Sequence, residues 1–183
     1  MGGLRPAPPG PVIVVPATID DADAIAALHA ESWQSAYRGL LPDEFLDGPV
    51  VGNRLRHWRA RMRAPDPDRR LVLKAVADRA LVGFACVLLD EEPEAGALLD
   101  NLHVKPARKG GGIGWRLLQQ SREWVGAVAP GERVHLWVIE GNLAARRFYD
   151  RQGGTIAERE TIETLPGIYV KALRYTWAPW SPP

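Results

Sequence analysis

Leu102-His103-Val104-Lys105-Pro106-Ala107-Arg108-Lys109-Gly110-Gly111-Gly112-Ile113-Gly114 carries the chain out of an apolar strand, through a run of glycines, and into a helix. Glycine lets the backbone take positive φ and come close to a ligand. The first N–H groups of the following helix have no partner inside the helix. With the helix dipole they form a seat for an anion, and a pyrophosphate fits it. Lys109 adds a positive charge. The stretch is not a P-loop, because Gly114 is followed by Trp115-Arg116 and not by Lys-Ser/Thr. It is not a G-x-G-x-x-G dinucleotide loop either: from Gly110 the last glycine would fall on Trp115, and from Gly112 on Leu117. Taken alone, such a loop reads equally well as a flexible strand-to-helix connection.

Outward from the loop, hydrophobic periodicity organises the rest of the chain. Upstream, Val12–Val15 is a short β-branched strand, and Asp20 or Asp21 caps a helix that runs to Ala36 and stops at Gly39. Pro42–Leu46 is a short helical piece. Val51, Leu55, Trp58 and Met62 form the apolar stripe of a helix over 50–63. Its Arg54, Arg56, His57, Arg59, Arg61 and Arg63 read as a solvated basic face rather than a nucleic-acid surface, since the net charge is only +1. Strands follow over 71–77, 81–89 and 97–104, then a helix over 112–128 and a strand over 133–139. A helix over 142–151 and strands over 155–161 and 168–177 complete the chain. The order is that of an α/β (α+β) domain with a mixed sheet of about seven strands flanked by helices.

The expected organisation is a flexible N-terminal tail (1–11), a single domain (12–178) and a C-terminal tail (179–183) as loosely draped as the first. The 183 residues suit one core, and 46% apolar with 25% charged residues is a soluble globular profile. The single cysteine, Cys86, forms no internal disulfide. It sits in an apolar run and reads as a buried, inert thiol. No apolar run approaches the ~20 residues of a membrane span, and the start lacks a signal peptide's pattern. The expectation is a cytoplasmic protein without metal, membrane or nucleic-acid partner.

Val104-x-Pro106 followed by Lys109-x-x-Gly112-x-Gly114 resembles motif A of the GNAT superfamily of N-acetyltransferases, with Lys109 at the usual Arg/Gln position. Val138-Ile-Glu-Gly-Asn142-Leu-Ala-Ala145-Arg-Arg-Phe148-Tyr149-Asp-Arg-Gln-Gly153 resembles motif B, with Gly154 where a Phe is usual, a change expected to loosen packing after the helix. Trp33-x-x-x-Tyr37-Arg-Gly39-x-x-Pro42 is similar to a helix region of many members. The resemblance spans about residues 12–177. It implies a strongly twisted sheet that splays between the strands carrying Leu102 and Leu136. Acetyl-CoA would be the cofactor and donor, its pantetheine arm entering that gap. An amine of a small molecule or peptide would attack the thioester directly.

The cofactor contacts implied are Leu102, His103 and Val104 on the strand; Lys109, Gly110, Gly111, Gly112, Ile113 and Gly114 in the loop; and Asn142, Ala145, Phe148 and Tyr149 on the later helix. Tyr149 is the candidate general acid for the leaving thiolate. Asn142 is the helix N-cap. Asp100 is the candidate base. Strand alternation puts it with Leu102 and Val104 on one face, opposite Asn101 and His103, and apolar neighbours would raise its pKa. A solvated strand-end carboxylate is the other reading, and His103 is a weaker candidate. His29, Trp33 and Tyr37, four residues apart, share one helical stripe, which the resemblance implies lies at the acceptor pocket; core is the favoured reading for Trp33, and His29 and Tyr37 stay open as pocket residues. A non-catalytic acyl-CoA sensor of the same fold is the alternative function. The aromatics of the last strand (Tyr169, Tyr175, Trp177) could pair two copies of the chain or simply fill the core.

Overall fold

The computed structural model describes residues 10–64 and 66–182. Most of the expected N-terminal tail therefore lies outside the described residues. The elements are β1 (Ile13–Pro16), α1 (Ala22–Ala36), α2 (Asp43–Asp47), α3 (Val50–Arg63), β2 (Arg70–Ala77), β3 (Ala80–Glu92), β4 (Gly96–Val104), α4 (Ile113–Val128), β5 (Val134–Ile139), α5 (Leu143–Arg151), β6 (Thr155–Leu165) and β7 (Ile168–Trp177). They form one seven-stranded sheet in the order β1-β2-β3-β4-β5-β7-β6. All neighbours are antiparallel except β4 and β5, which are parallel.

The sheet is buried on both faces, which is why β3 reads as a continuous apolar run rather than an alternating one. Phe84, Cys86 and Leu88 face a core shared with Ile25 and Leu28 of α1 and Trp58 of α3. Ala85 and Val87 face the second core, with Leu117, Leu118 and Val125 of α4. By contrast β6 is largely exposed, and its Glu/Arg/Thr-rich sequence hid four of its residues from the strand expected over 155–161. The start of α1 also differs in detail. A 3-10 turn (Ile19–Asp21) precedes it, and the Asp21 carboxylate accepts the Thr18 N–H (2.7 Å) and pairs with Lys74 (2.8 Å).

Two expectations about packing are corrected. The chain after 178 is not all loose: the Trp180 indole lies where a Cβ on Gly126 would be only 2.8 Å from it, under the Arg122 guanidinium. Gly154 does not loosen the end of α5. A Cβ there would sit 2.7 Å from the Trp177 ring, whose N–H donates to the Gln152 carbonyl (2.9 Å). Trp177 fills the space that a Phe side chain would take.

The packing of α4 on the sheet holds the loop in place. Leu117 has no exposed surface. Leu117→Ala should lower unfolding free energy by about 2–5 kcal/mol in urea denaturation followed by circular dichroism. A change under about 0.5 kcal/mol, usual for exposed sites, would contradict this packing.

Candidate functional site

The site is built where the sheet comes apart. β4 and β5 pair only through Ala97↔Val134 and Leu98↔His135. Beyond Leu98 the edge of β4 has no strand beside it among the described residues, while β5 stays paired to β7 as far as Ile139. The expected splay between Leu102 and Leu136 is present. Along its other edge, β4 carries a bulge: Cys86 opposes Asn101 and Val87 opposes Leu99, so Asp100 is the extra residue. A bulge bends its strand and re-aims the side chains that follow.

That bulge overturns the expected alternation. Leu102 and Val104 do share a face, toward α4. Asp100 instead joins His103 on the face toward α1 and α3, where it forms an ion pair with Arg61. The expected apolar setting of its carboxyl is absent, because a guanidinium stands against it.

On the α4 side the loop is set for an anion. Gly110 (φ 84°) and Gly112 (φ 76°) are in the left-handed region that only glycine adopts at little cost. No side chain caps α4, and its first helical bond runs from Arg116 N–H to the Gly112 carbonyl (3.1 Å). The N–H groups of Ile113, Gly114 and Trp115 therefore lack helical partners. Gly114 has a different reason to be glycine: a Cβ would lie 3.3 Å from the Phe148 ring, so α4 and α5 approach closely there. Gly110, Gly111, Gly112 and Lys109 are exposed, and Ile113 is buried.

α5 begins with the expected cap, the Asn142 side chain accepting the Ala145 N–H (3.2 Å). Ala145 and Phe148 pack against the α4-side core. Tyr149 is nearly buried among Phe148, Tyr175 and Trp177, with ring centroids 5.2–5.8 Å away. Burial pushes its phenol well above the usual value, and the Tyr37 phenol adds to the shift. Tyr37, at the C-cap of α1, is itself raised to about 12 by burial. Both phenols hold their protons at neutral pH.

The α1/α3 side is an aromatic and basic box. Trp33 packs edge-on to His29 (5.2 Å) and Tyr37 (5.4 Å). His29 has no exposed surface and accepts the Trp58 indole N–H at Nδ1 (2.9 Å), which leaves the ring proton on Nε2. It stands behind His103, with ring centroids 4.4 Å apart, so it backs the site rather than lining it. The Ser32 hydroxyl meets Nδ1 of His103 (2.8 Å). Burial, helped by the charges of Lys109 and Arg54, lowers the His103 pKa to about 3. Burial, then Arg61 and Arg54, lowers His57 to about 4. Both rings are neutral at pH 7. Cys86 is fully buried, and burial raises its thiol to about 12, in line with the inert reading.

Sequence reasoning missed three residues here. Arg54, His57 and Arg61 are half-buried and turned into the box; only Arg56, Arg59 and Arg63 belong to the exposed basic face. The spacing i, i+3, i+7 was the available signal, since it puts those three beside the buried Trp58. Asn101 was also undervalued. Its Nδ2 donates to the Asp100 carbonyl (2.8 Å), while its Oδ1 is buried without a partner. On the same side, an apolar cleft of about 370 Å³ lies between α2 and the β6–β7 turn, lined in part by Phe45, Asn53 and Leu165. Among the described residues no cluster of His, Cys, Asp and Glu could hold a metal, and no helix is long and apolar enough to cross a membrane.

The same architecture recurs in solved structures. PaiA N-acetyltransferase from Thermoplasma acidophilum, in complex with coenzyme A, is 19% identical with a TM-score of 0.74, over 91% of this chain and 99% of that one. A GCN5-related N-acetyltransferase from Rhodopseudomonas palustris is 20% identical with a TM-score of 0.73, over 97% and 99%. Arabidopsis thaliana NAA60, in complex with a bisubstrate analogue, is 18% identical with a TM-score of 0.65, over 92% and 98%. At these identities the likeness is one of fold. No curated protein matches the chain. The model of the acetyltransferase (GNAT) family matches residues 25–154, which include the glycine loop, the parted strands and α5, and the chain belongs to that family.

Proposed function

We propose that the protein is an N-acetyltransferase that moves an acetyl group from acetyl-CoA to an amine by direct attack. The observation that carries this reading is the parting of β4 from β5 after Leu98, with the glycine loop at one end and Tyr149 beside it. Two features favour the donor: the unpartnered N–H groups that open α4, suited to phosphate oxygens, and the free edge of β4, suited to an extended amide-bearing arm. Coenzyme A in the Thermoplasma relative supports the same assignment.

Acetyl-CoA supplies an acetyl group already activated as a thioester. The chain's own residues divide the remaining work. Ile113, Gly114 and Trp115 offer backbone N–H groups to the pyrophosphate, with Lys109 as an accessory charge. Leu102, His103 and Val104 offer backbone groups along the strand edge, and Asn142, Ala145 and Phe148 shape the α5 wall. Tyr149 retains its proton at neutral pH, so it serves as the donor to the departing thiolate. The acceptor approaches on the other face, past Trp33 and Tyr37. Asp100, anchored by Arg61 rather than by apolar neighbours, meets its ammonium group and takes the proton the amine must lose before it attacks. His103 and His57 hold protons too weakly to store one.

Calorimetry with acetyl-CoA, followed by a thiol-release screen against an amine panel, tests the reading. Binding with release is expected; binding without release would leave a non-catalytic acyl-CoA module.

Gly112→Asp should abolish acetyl-CoA binding, because it adds a carboxylate and strains a backbone at φ 76°. Unchanged affinity in calorimetry, with the melting temperature preserved, would take the loop out of the site.

Tyr149→Phe should lower kcat by on the order of 10²-fold or more while leaving acetyl-CoA affinity near wild type. Full turnover in steady-state thiol release would mean that Tyr149 only packs.

A further inference from the structure

The box between α1, α3 and β4 holds more positive charge than it neutralises. Arg61 has a counter-ion in Asp100. Arg54 has none within ion-pair distance among the described residues, whose ion pairs engage Arg38, Arg59, Arg61, Arg69, Lys74, Arg108, Arg159 and Arg174. Its guanidinium is half-buried, with CZ 4.5 Å from the centre of the Trp33 ring. Its hydrogen-bond partner is the neutral Asn53 side chain, at Oδ1. Burial holds the Arg54 pKa below its usual value, and Asp100, beyond ion-pair distance, offsets only part of that cost; a guanidinium receives a carboxylate through two N–H groups.

The position of Arg54 is as informative as its missing partner. Asn53 lines the apolar cleft beside Phe45 and Leu165, so a route from solvent reaches the residue that holds Arg54. On the inner side, the charge of Arg54 is felt at the Tyr37 phenol, and that phenol is in turn felt at Tyr149. Arg54 thus stands in the box that backs the proposed transfer point, one residue along the helix from the lining of the cleft.

We propose that Arg54 is the seat of an anionic group on the acceptor, and that the acceptor is an amine carrying a carboxylate. A carboxylate, rather than a phosphate, matches Arg54 charge for charge: one guanidinium faces one monoanion, while Arg61 is already answered by Asp100. The neutral states of His57 and His103, set first by burial, then by Arg61 and Arg54 for His57 and by Lys109 and Arg54 for His103, fit that surplus. The proposal rests on the acetyltransferase reading for the role of the amine, while the anion seat is a separate property of the box.

The test pairs the common amino acids with their carboxamides and with aminoalkyl phosphates in thiol release from acetyl-CoA. Wild type should favour the carboxylate member over its carboxamide by about ten- to a hundred-fold in kcat/KM, the range of a hydrogen bond to a charged group. Arg54→Gln should bring that ratio close to one, and Arg54→Lys should keep part of it, both at an unchanged melting temperature. Equal use of carboxylate and carboxamide by wild type, or preference for the phosphate, would overturn the proposal. The second arm follows the His57 and His103 imidazole resonances on addition of N-acetyl amino acids. Shifts in wild type that vanish in Arg54→Gln support the seat even where no amine releases thiol, a result that would sink the transferase reading alone. Resonances unmoved by any N-acetyl amino acid would overturn the seat.

Discussion

The parting of β4 from β5 is the constraint on which the site depends. Parallel neighbours in a sheet ordinarily bond along their length; here two residue pairs suffice before the strands separate. The bulge at Asp100 begins next to the last paired residue, Leu98, and accounts for the change of direction. β5 does not fray, because its far edge is satisfied by β7 over six residues. The cost falls on β4, whose exposed edge keeps backbone polar groups that an extended ligand can satisfy. The α4 core, with Leu117 and Leu118 fully buried, holds the strand end and the loop in register while the gap stays open.

The same bulge divides the chemistry between two faces. Leu102 and Val104 turn to α4, beside the glycine loop and α5, in surroundings made of apolar groups and unpaired N–H groups. Asp100 and His103 turn to α1 and α3, into rings and cations. The transfer proposed above would place its phosphate-bearing donor on one side and its amine on the other. Burial governs the titratable groups on both sides: it keeps the Tyr149 and Tyr37 phenols protonated and the His57 and His103 rings neutral. The imidazoles are therefore packing and hydrogen-bonding groups rather than cations.

Much of this was legible in the residues. The loop 109–114, the Asn142 cap and the Phe148-Tyr149 pair are local features, fixed by glycine conformation, capping chemistry and helical spacing, so they read directly from the chain. Element order followed from periodicity for the same reason. What did not read was register. Alternation places Asp100 with Leu102 unless a residue is inserted against the neighbouring strand, and the pairing of Cys86 with Asn101 and Val87 with Leu99 is a long-range fact. The inward turn of Arg54, His57 and Arg61 was hidden similarly. Six basic residues on one helix suggest solvent until Asp100 of β4 and Trp33 of α1 are found opposite two of them, Arg61 and Arg54. Gly154 misled in the other direction, because its partner, the Trp177 ring, is 23 residues away in sequence and adjacent only through β7.

The central claim is that the free edge of β4 and the opening of α4 together hold the donor. Amide hydrogen exchange with and without acetyl-CoA reads both at once, residue by residue. The account predicts slower exchange on binding at 99–104 and at 110–115, with β1 and β2 unchanged as the internal reference. Binding that left both segments exchanging at their unliganded rates would contradict it.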